Sequence, residues 1–366
     1  MHRQVLVFGV DGSELRTAVE RGVMALGYSP RVQVPHAFSR SQAIEAESLA
    51  GVFTIGLRGG SGEAAYHYAS LGLPVGCLDY AHLRRPGEVR WRLTSPSIDW
   101  LPDFGDAAIP TDRLDRLGVE ISSRRRVKGQ VVLLVGQTSE DSAHGMPRSD
   151  FERWAIDALA RIRSVTDSRV VWRPHPRETW ELPGADGYSD PDVETLDEAL
   201  AKSWLVVTYN STVGLDALVA GLPVVAEGPC VYKHLAGSVS AMRSLEPASG
   251  PELRELLAKL AWGQWTIDEV RSGEPLNLFV PDADGSVLTY TDLAARYPDA
   301  PKDPVDTGEA TTTRSSPEVV DVALDADATI DEDVAPIDVE SLTGDEADEP
   351  VVVPAPKKAR RSRGSR

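Results

Sequence analysis

The sequence predicts an α/β protein made of two doubly wound, Rossmann-like domains and a tail that does not fold. Three observations carry this expectation. Short apolar runs alternate with amphipathic segments between residues 5 and 79, the same alternation restarts at residue 131, and the composition changes after residue 300. Strand–helix alternation at this spacing is the pattern of a parallel sheet covered by helices on both faces.

In the first half, Val5–Val10 is a continuous apolar run ending at Asp11-Gly12, which reads as a buried strand and a turn. Glu14–Gly27 follows with Leu15, Val19, Val23 and Leu26 at helical spacing, and Gly27 is placed to end the helix. Arg31–Val34 reads as a strand, Ser41–Ala50 as a helix and Val52–Ile55 as a strand running into Arg58-Gly59-Gly60-Ser61-Gly62. A helix over Glu63–Leu71 and a strand over Pro74–Leu78, ending at Asp79, complete this half. Residues 84–125, rich in Arg, Pro and Asp, read as irregular.

The second half predicts strands at Val131–Val135, Arg169–Trp172, Leu205–Thr208 and Pro223–Ala226. Between and after them lie helices at Ser149–Val165, Thr195–Ala201, Thr212–Ala220 (closed by Gly221) and Glu252–Trp262. The expected organisation is a first domain over 1–110, a linker over 111–127, a second domain over 128–280, and a mostly disordered tail over 281–366. No internal sequence repeat is visible.

Composition narrows the class. The chain has 366 residues, a net charge of −18 and two cysteines, Cys77 and Cys230. Two cysteines exclude a disulfide framework and fit a reducing, cytoplasmic setting. No apolar run is long enough to span a membrane, and the N-terminal run is too short for a signal-peptide core. Residues 301–350 hold 16 Asp or Glu against Lys302 and Arg314, with almost no aromatic residue, so this stretch cannot offset its chain entropy by burial. The last ten residues, Lys357 to Arg366, carry six positive charges. They read either as a solvated terminus or as a patch for DNA, RNA or an acidic protein face.

The candidate chemistry sits at strand ends, where open α/β sheets bind ligands. Arg173-Pro174-His175-Pro176 follows a strand directly, and two prolines stiffen the turn that aims the imidazole. An Arg and a rigid His there suit a phosphate oxygen; the plainer alternative is that His175 only bonds a neighbouring loop. Tyr209-Asn210-Ser211-Thr212 again follows a strand and opens a helix, so its hydroxyls either meet an anion or simply cap the helix. Glu227-Gly228-Pro229 with Lys233 follows the next strand and adds a Gly-Pro loop and a positive charge. Asp216 is either a ribose or base contact or an exposed helix residue.

The stretches WRPHP and VVTYNSTVGLDALVAGLPVVAEG resemble the nucleotide-sugar half of GT-B glycosyltransferases. The resemblance is to the capsule-polysaccharide and Kdo-transferase kind and to bacterial sialyltransferases, with their His-Pro and Ser/Thr motifs. It implies a GT-B-like fold with two domains facing a cleft, and a metal-independent transfer from a CMP- or UDP-linked sugar. It also implies that His175, Ser211 and Thr212 bind the donor phosphate; Arg173, Asn210, Asp216, Gly228 and Lys233, read from the strand ends, are expected around them. AWGQWTIDEVRSGEP and DRLDRLGVEI are similar to GT-B-like proteins of tailed bacteriophages, for which the acceptor would be modified DNA, a capsid protein or a saccharide. The acidic motif that holds the base in sialyltransferases is not reproduced here.

Asp11 and Asp79, each at a strand end, are therefore alternative candidates for the base. Asp11 is equally able to cap the helix near Glu14. His82, Arg84 and Arg85 are expected to hold Asp79 as an ion. Arg58-Gly59-Gly60-Ser61-Gly62 would let a ligand approach the backbone. Trp262, Gln264 and Trp265 read as core or interface packing, or else as a sugar-stacking platform. The seven histidines show no metal-ligand spacing, so no metal and no resident cofactor is expected. Two other readings remain: a GT-B-fold nucleotide-sugar epimerase, and a non-catalytic virion- or DNA-associated protein that keeps the fold.

Overall fold

The computed structural model describes residues 3–9, 12–35, 38–40, 43–56, 59–83, 89–122, 131–138 and 144–296. Val10, Asp11, Arg58, Arg84, Arg85 and the whole acidic–basic tail lie outside them. The described residues contain two sheets, both within one compact unit.

The first sheet begins with β1 (Gln4–Phe8), β2 (Ser29–Gln33), β3 (Leu49–Ile55) and β4 (Val75–Tyr80), which pair in parallel in the order β2-β1-β3-β4. Val5 to Phe8 and all of β3 are buried, as expected for strands covered on both faces. Helix α1 (Glu14–Ala25) is capped by Ser13, whose Oγ accepts from the Arg16 N–H at 3.1 Å. It ends as the sequence predicts, with Gly27 at φ 87° and the Tyr28 N–H returning to the Val23 carbonyl. Helix α2 (Gly59–Ser70) covers the opposite face through Ala64, Ala65 and Tyr68.

Three stretches differ from the sequence reading. Residues 41–50 do not form a helix: the described part holds only a 3₁₀ turn at 46–48, and Leu49 and Ala50 already belong to β3. Their apolar side chains are worth more against the sheet than on a mostly polar helix. The region 84–125 contains β5 (Arg90–Thr94), antiparallel to β4, and helix α3 (Asp112–Leu117), which ends at Gly118 with φ 64°. Finally, the chain returns to the first sheet after residue 262. Strand β11 (Gln264–Thr266) pairs antiparallel with β5, and α8 (Ile267–Ser272) packs on α1. Helix α9 (Tyr290–Arg296) buries Tyr290 and Leu293 in the same core as Val5 and Val7. Residues 264–280, expected with the second domain, and 290–296, expected in the tail, thus lie on the first.

The second sheet is wholly parallel. It contains β6 (Val131–Val135), β7 (Val170–Arg173), β8 (Gly187–Tyr188), β9 (Ser203–Thr208) and β10 (Val224–Ala226) in the order β10-β9-β6-β7-β8. Helix α4 (Arg148–Val165) packs Phe151, Ala155, Ala158 and Ile162 on one face; α5 (Leu196–Lys202), α6 (Val213–Val219) and α7 (Gly250–Trp262) supply the other. Two doubly wound sheets, with the chain returning to the first, form the GT-B-like architecture that the resemblance implied.

The return is held by Arg113 of α3. Its side chain is buried between two indoles, with Cζ 4.3 Å from the Trp265 ring and 5.2 Å from that of Trp262. It donates to the Gln264 carbonyl at 2.9 Å and pairs with Glu269 at 2.9 Å. Gln264 bonds both backbone groups of Leu83. Trp262 and Trp265 are 0% and 1% exposed, so they are core and not a platform for a sugar. Residues 112–121 and 261–275 therefore meet in one contact.

Glu269 gives this contact a pH dependence. Burial alone would raise its pKa, but Arg113, the Thr266 N–H and Arg90 outweigh burial and hold it below its ordinary value. Its stabilisation is complete above the unfolded value of about 4.3 and is lost as pH falls through the lowered folded value. Glu269→Gln is expected to cost about 1–3 kcal/mol at pH 7. The deficit should shrink below about pH 4, and urea midpoints between pH 3 and 7 measure it. A deficit independent of pH would contradict the ion pair's role.

Candidate functional site

In the second sheet, β6, β7 and β8 are laid down in one direction, and the chain then places β9 on the other side of β6. Loops beyond β6 and β9 diverge at such a reversal, and the crevice between them is where open α/β sheets bind ligands. All five strands are parallel, so the segments after β6, β7, β9 and β10 emerge on one rim. The His175 turn and the Ser211 turn are therefore two strands apart, roughly 10 Å at ordinary strand spacing.

The His175 turn is fixed locally. The Glu178 N–H donates to the His175 carbonyl at 2.8 Å, and the Arg177 N–H donates to Nδ1 of the ring at 3.1 Å. A ring nitrogen that accepts carries no proton, so the neutral imidazole holds its hydrogen on Nε2. His175 is half-buried beside a shallow depression lined by Gln137, Trp172, Pro174, Glu178 and Trp180.

The Ser211 turn is equally constrained. The Thr208 hydroxyl accepts from the Ser211 N–H at 3.2 Å, and Ser211 Oγ accepts from the Val213 N–H at 3.3 Å. Tyr232, fully buried, donates its hydroxyl to the Ser211 carbonyl. Ser211 thus does the capping, and Thr212, exposed, makes no side-chain cap bond. Asn210 is buried, and its N–H donates to Oε1 of Gln137 at 3.2 Å. Gln137, directly beyond β6, is the residue that the sequence reading missed. The strand-end rule applied to β7 and β9 would have found it at β6.

The expected cations are engaged elsewhere. Arg173 is buried and turned to the 189–194 loop, donating to Ser189 Oγ at 2.7 Å and to the Glu194 carbonyl at 3.0 Å. Burial lowers its pKa, with Glu194 and Asp190 opposing. Lys233 donates its ammonium to the carbonyls of Ala226 and Glu227. Gly228 is required by the protein itself: a Cβ there would lie 2.4 Å from Cε1 of Tyr209, whose carbonyl accepts the Gly228 N–H. Asp216 is exposed in the first turn of α6.

On the first sheet, Asp79 faces Arg92 across β4 and β5, with Oδ2 accepting at 2.7 Å and Oδ1 taking the Tyr80 N–H at 2.8 Å. Arg92 also meets Nε2 of His82 at 2.9 Å. Burial, then the Arg92 charge, pushes the His82 pKa well below its ordinary value. The cation beside Asp79 is therefore Arg92, and His82 is neutral. The Gly60 backbone is approached by the Pro35 carbonyl, which a Cβ there would strike.

No family model matches this chain, and no curated protein matches it. Solved structures do. The KpsC β-Kdo 2,4 transferase of Thermosulfurimonas dismutans is similar at 15% identity over 74% of this chain and 98% of that one, with a TM-score of 0.47. The glycosyltransferase SnogD of Streptomyces nogalater is similar at 12% identity over 76% and 99%, with a TM-score of 0.25. The UDP-GlcNAc 2-epimerase of Methanocaldococcus jannaschii, in complex with UDP-GlcNAc and UDP, is similar at 11% identity over 69% and 97%, with a TM-score of 0.28.

The Tyr209–Gly228 contact is directly testable. Gly228→Ala should lower stability by about 1–3 kcal/mol by overpacking, and Gly228→Ala combined with Tyr209→Ala should lose less than the sum of the two single changes. Thermal denaturation of the four proteins reads the cycle, and strict additivity would contradict the contact.

Proposed function

We propose that this chain is a GT-B-type glycosyltransferase that moves a sugar from a CMP- or UDP-linked donor to an acceptor hydroxyl. The observation that carries this reading is the convergence of the His-Pro turn and the Ser/Thr turn on one rim, at the reversal of strand order, with Gln137 between them. As the bond from sugar to phosphate breaks, negative charge grows on the departing nucleotide. Donors held in place before the reaction stabilise that charge without reorganising. In this reading His175 supplies its Nε2–H, and Ser211 and Thr212 supply hydroxyls. Arg173 and Lys233 are given no donor contact in this reading: Arg173 donates to Ser189 Oγ and the Glu194 carbonyl, and Lys233 to the Ala226 and Glu227 carbonyls.

The base is assigned to Asp11 over Asp79. Both oxygens of Asp79 are engaged within the sheet. Asp11 follows β1 by three residues in sequence, and β1 borders the point where the first sheet reverses its strand order. A carboxylate at such a strand end can take the acceptor's proton.

The test is a thermal-shift panel of CMP-, UDP-, GDP- and dTDP-sugars, followed by calorimetry, since a ligand that binds the folded state raises its apparent stability. A CMP- or UDP-linked sugar should raise the melting temperature. His175→Ala should abolish that rise while leaving the unliganded protein nearly as stable, because the ring is only half-buried. Unchanged donor binding by His175→Ala would overturn the site. Conversion of the donor with no acceptor present would mark an epimerase instead.

A further inference from the structure

We propose that Gln137 is itself a ligand-contacting residue of this rim, its carboxamide Nε2 donating to the phosphate oxygen that His175 also binds. The inference rests on the nucleotide-sugar reading above and adds to it a residue that neither the sequence motifs nor the resemblance singled out.

Gln137 is 6% exposed. A carboxamide can accept only through its oxygen, so the 3.2 Å bond from the Asn210 N–H fixes Oε1 towards the Ser211 turn and sets the direction of Nε2. Among the described residues nothing accepts from that nitrogen, although the residue lines the same depression as Pro174 and His175. That nitrogen is not among the enclosed, unpaired polar atoms, so it meets solvent, and a ligand in the depression at the strand reversal can reach it. The amide would then act at both ends. Its oxygen holds the 209–212 turn in place, and its nitrogen reads the ligand, so occupancy of the rim is coupled to the position of the Ser211 hydroxyl. Glu152, paired with Arg148 at 2.8 Å, and Glu178 also line the depression. The donors of this depression are thus a neutral amide and a neutral imidazole.

Gln137→Glu separates the two ends. It keeps an acceptor for the Asn210 N–H but replaces the nitrogen donor by a carboxylate oxygen. Calorimetry with CMP and UDP as probes should show at least tenfold weaker binding of the nucleotide that wild type prefers. In the wild-type protein, the ¹⁵N-resolved side-chain amide of Gln137 should shift on saturation with that nucleotide; this measurement decides the matter even where the variant does not fold. Full affinity in Gln137→Glu, or an unmoved Gln137 amide in nucleotide-saturated wild type, overturns this inference and leaves the transferase reading standing. Failure of wild type to bind either nucleotide overturns both.

Discussion

The parallel direction of the five strands in the second sheet is the constraint from which the site follows. Parallel strands need crossover connections, so every strand end on one rim is followed by a loop leading into a crossover. Because β9 is placed beside β6 and not beyond β8, the loops after β6 and β9 part company there. No side chain has to be invoked to explain why a crevice forms at that place. The side chains decide only what it can hold. Pro174 and Pro176 stiffen one wall, and the Thr208 and Tyr232 hydroxyls pin the other.

A second constraint joins the two halves. The chain leaves the second sheet through α7 and buries Trp262, Trp265, Tyr290 and Leu293 in the core of the first sheet. Arg113 accepts this return by lying between the indoles and pairing with Glu269. A planar guanidinium is suited to such a place, since it can stack and donate in several directions at once. The contact couples α3, α7 and the edge of the first sheet.

Much of this was legible in the sequence. Continuous apolar strands such as Val131–Val135 and helices with a clear buried stripe, such as 149–165, declare themselves through period and length. Strand β5 did not, because Arg90-Trp91-Arg92-Leu93-Thr94 sits in an Arg-rich stretch whose charge hides a two-residue alternation. The return segment was partly hidden because a three-residue strand has no period to read. Among the candidate site residues, His175 and Ser211 stand out in the sequence because motif and strand end coincide. Arg173 and Lys233 were expected to meet an anion from their charge and their place after strands. Where a long basic side chain ends depends on oxygens brought near by tertiary structure, here Ser189, Glu194, Ala226 and Glu227. Gly60 was recognised as a place of close approach, but the sequence did not show that the approaching group is Pro35, nor that Gly228 packs against Tyr209.

The central claim is that the loops after β6, β7 and β9 enclose one phosphate. A crystal structure of the full chain soaked with CMP or UDP tests it most directly. The account predicts phosphate density within hydrogen-bonding distance of the His175 ring and the Ser211 hydroxyl, at the carboxyl ends of β6 and β9. Nucleotide density ordered elsewhere on the protein, with this rim unoccupied, would contradict it.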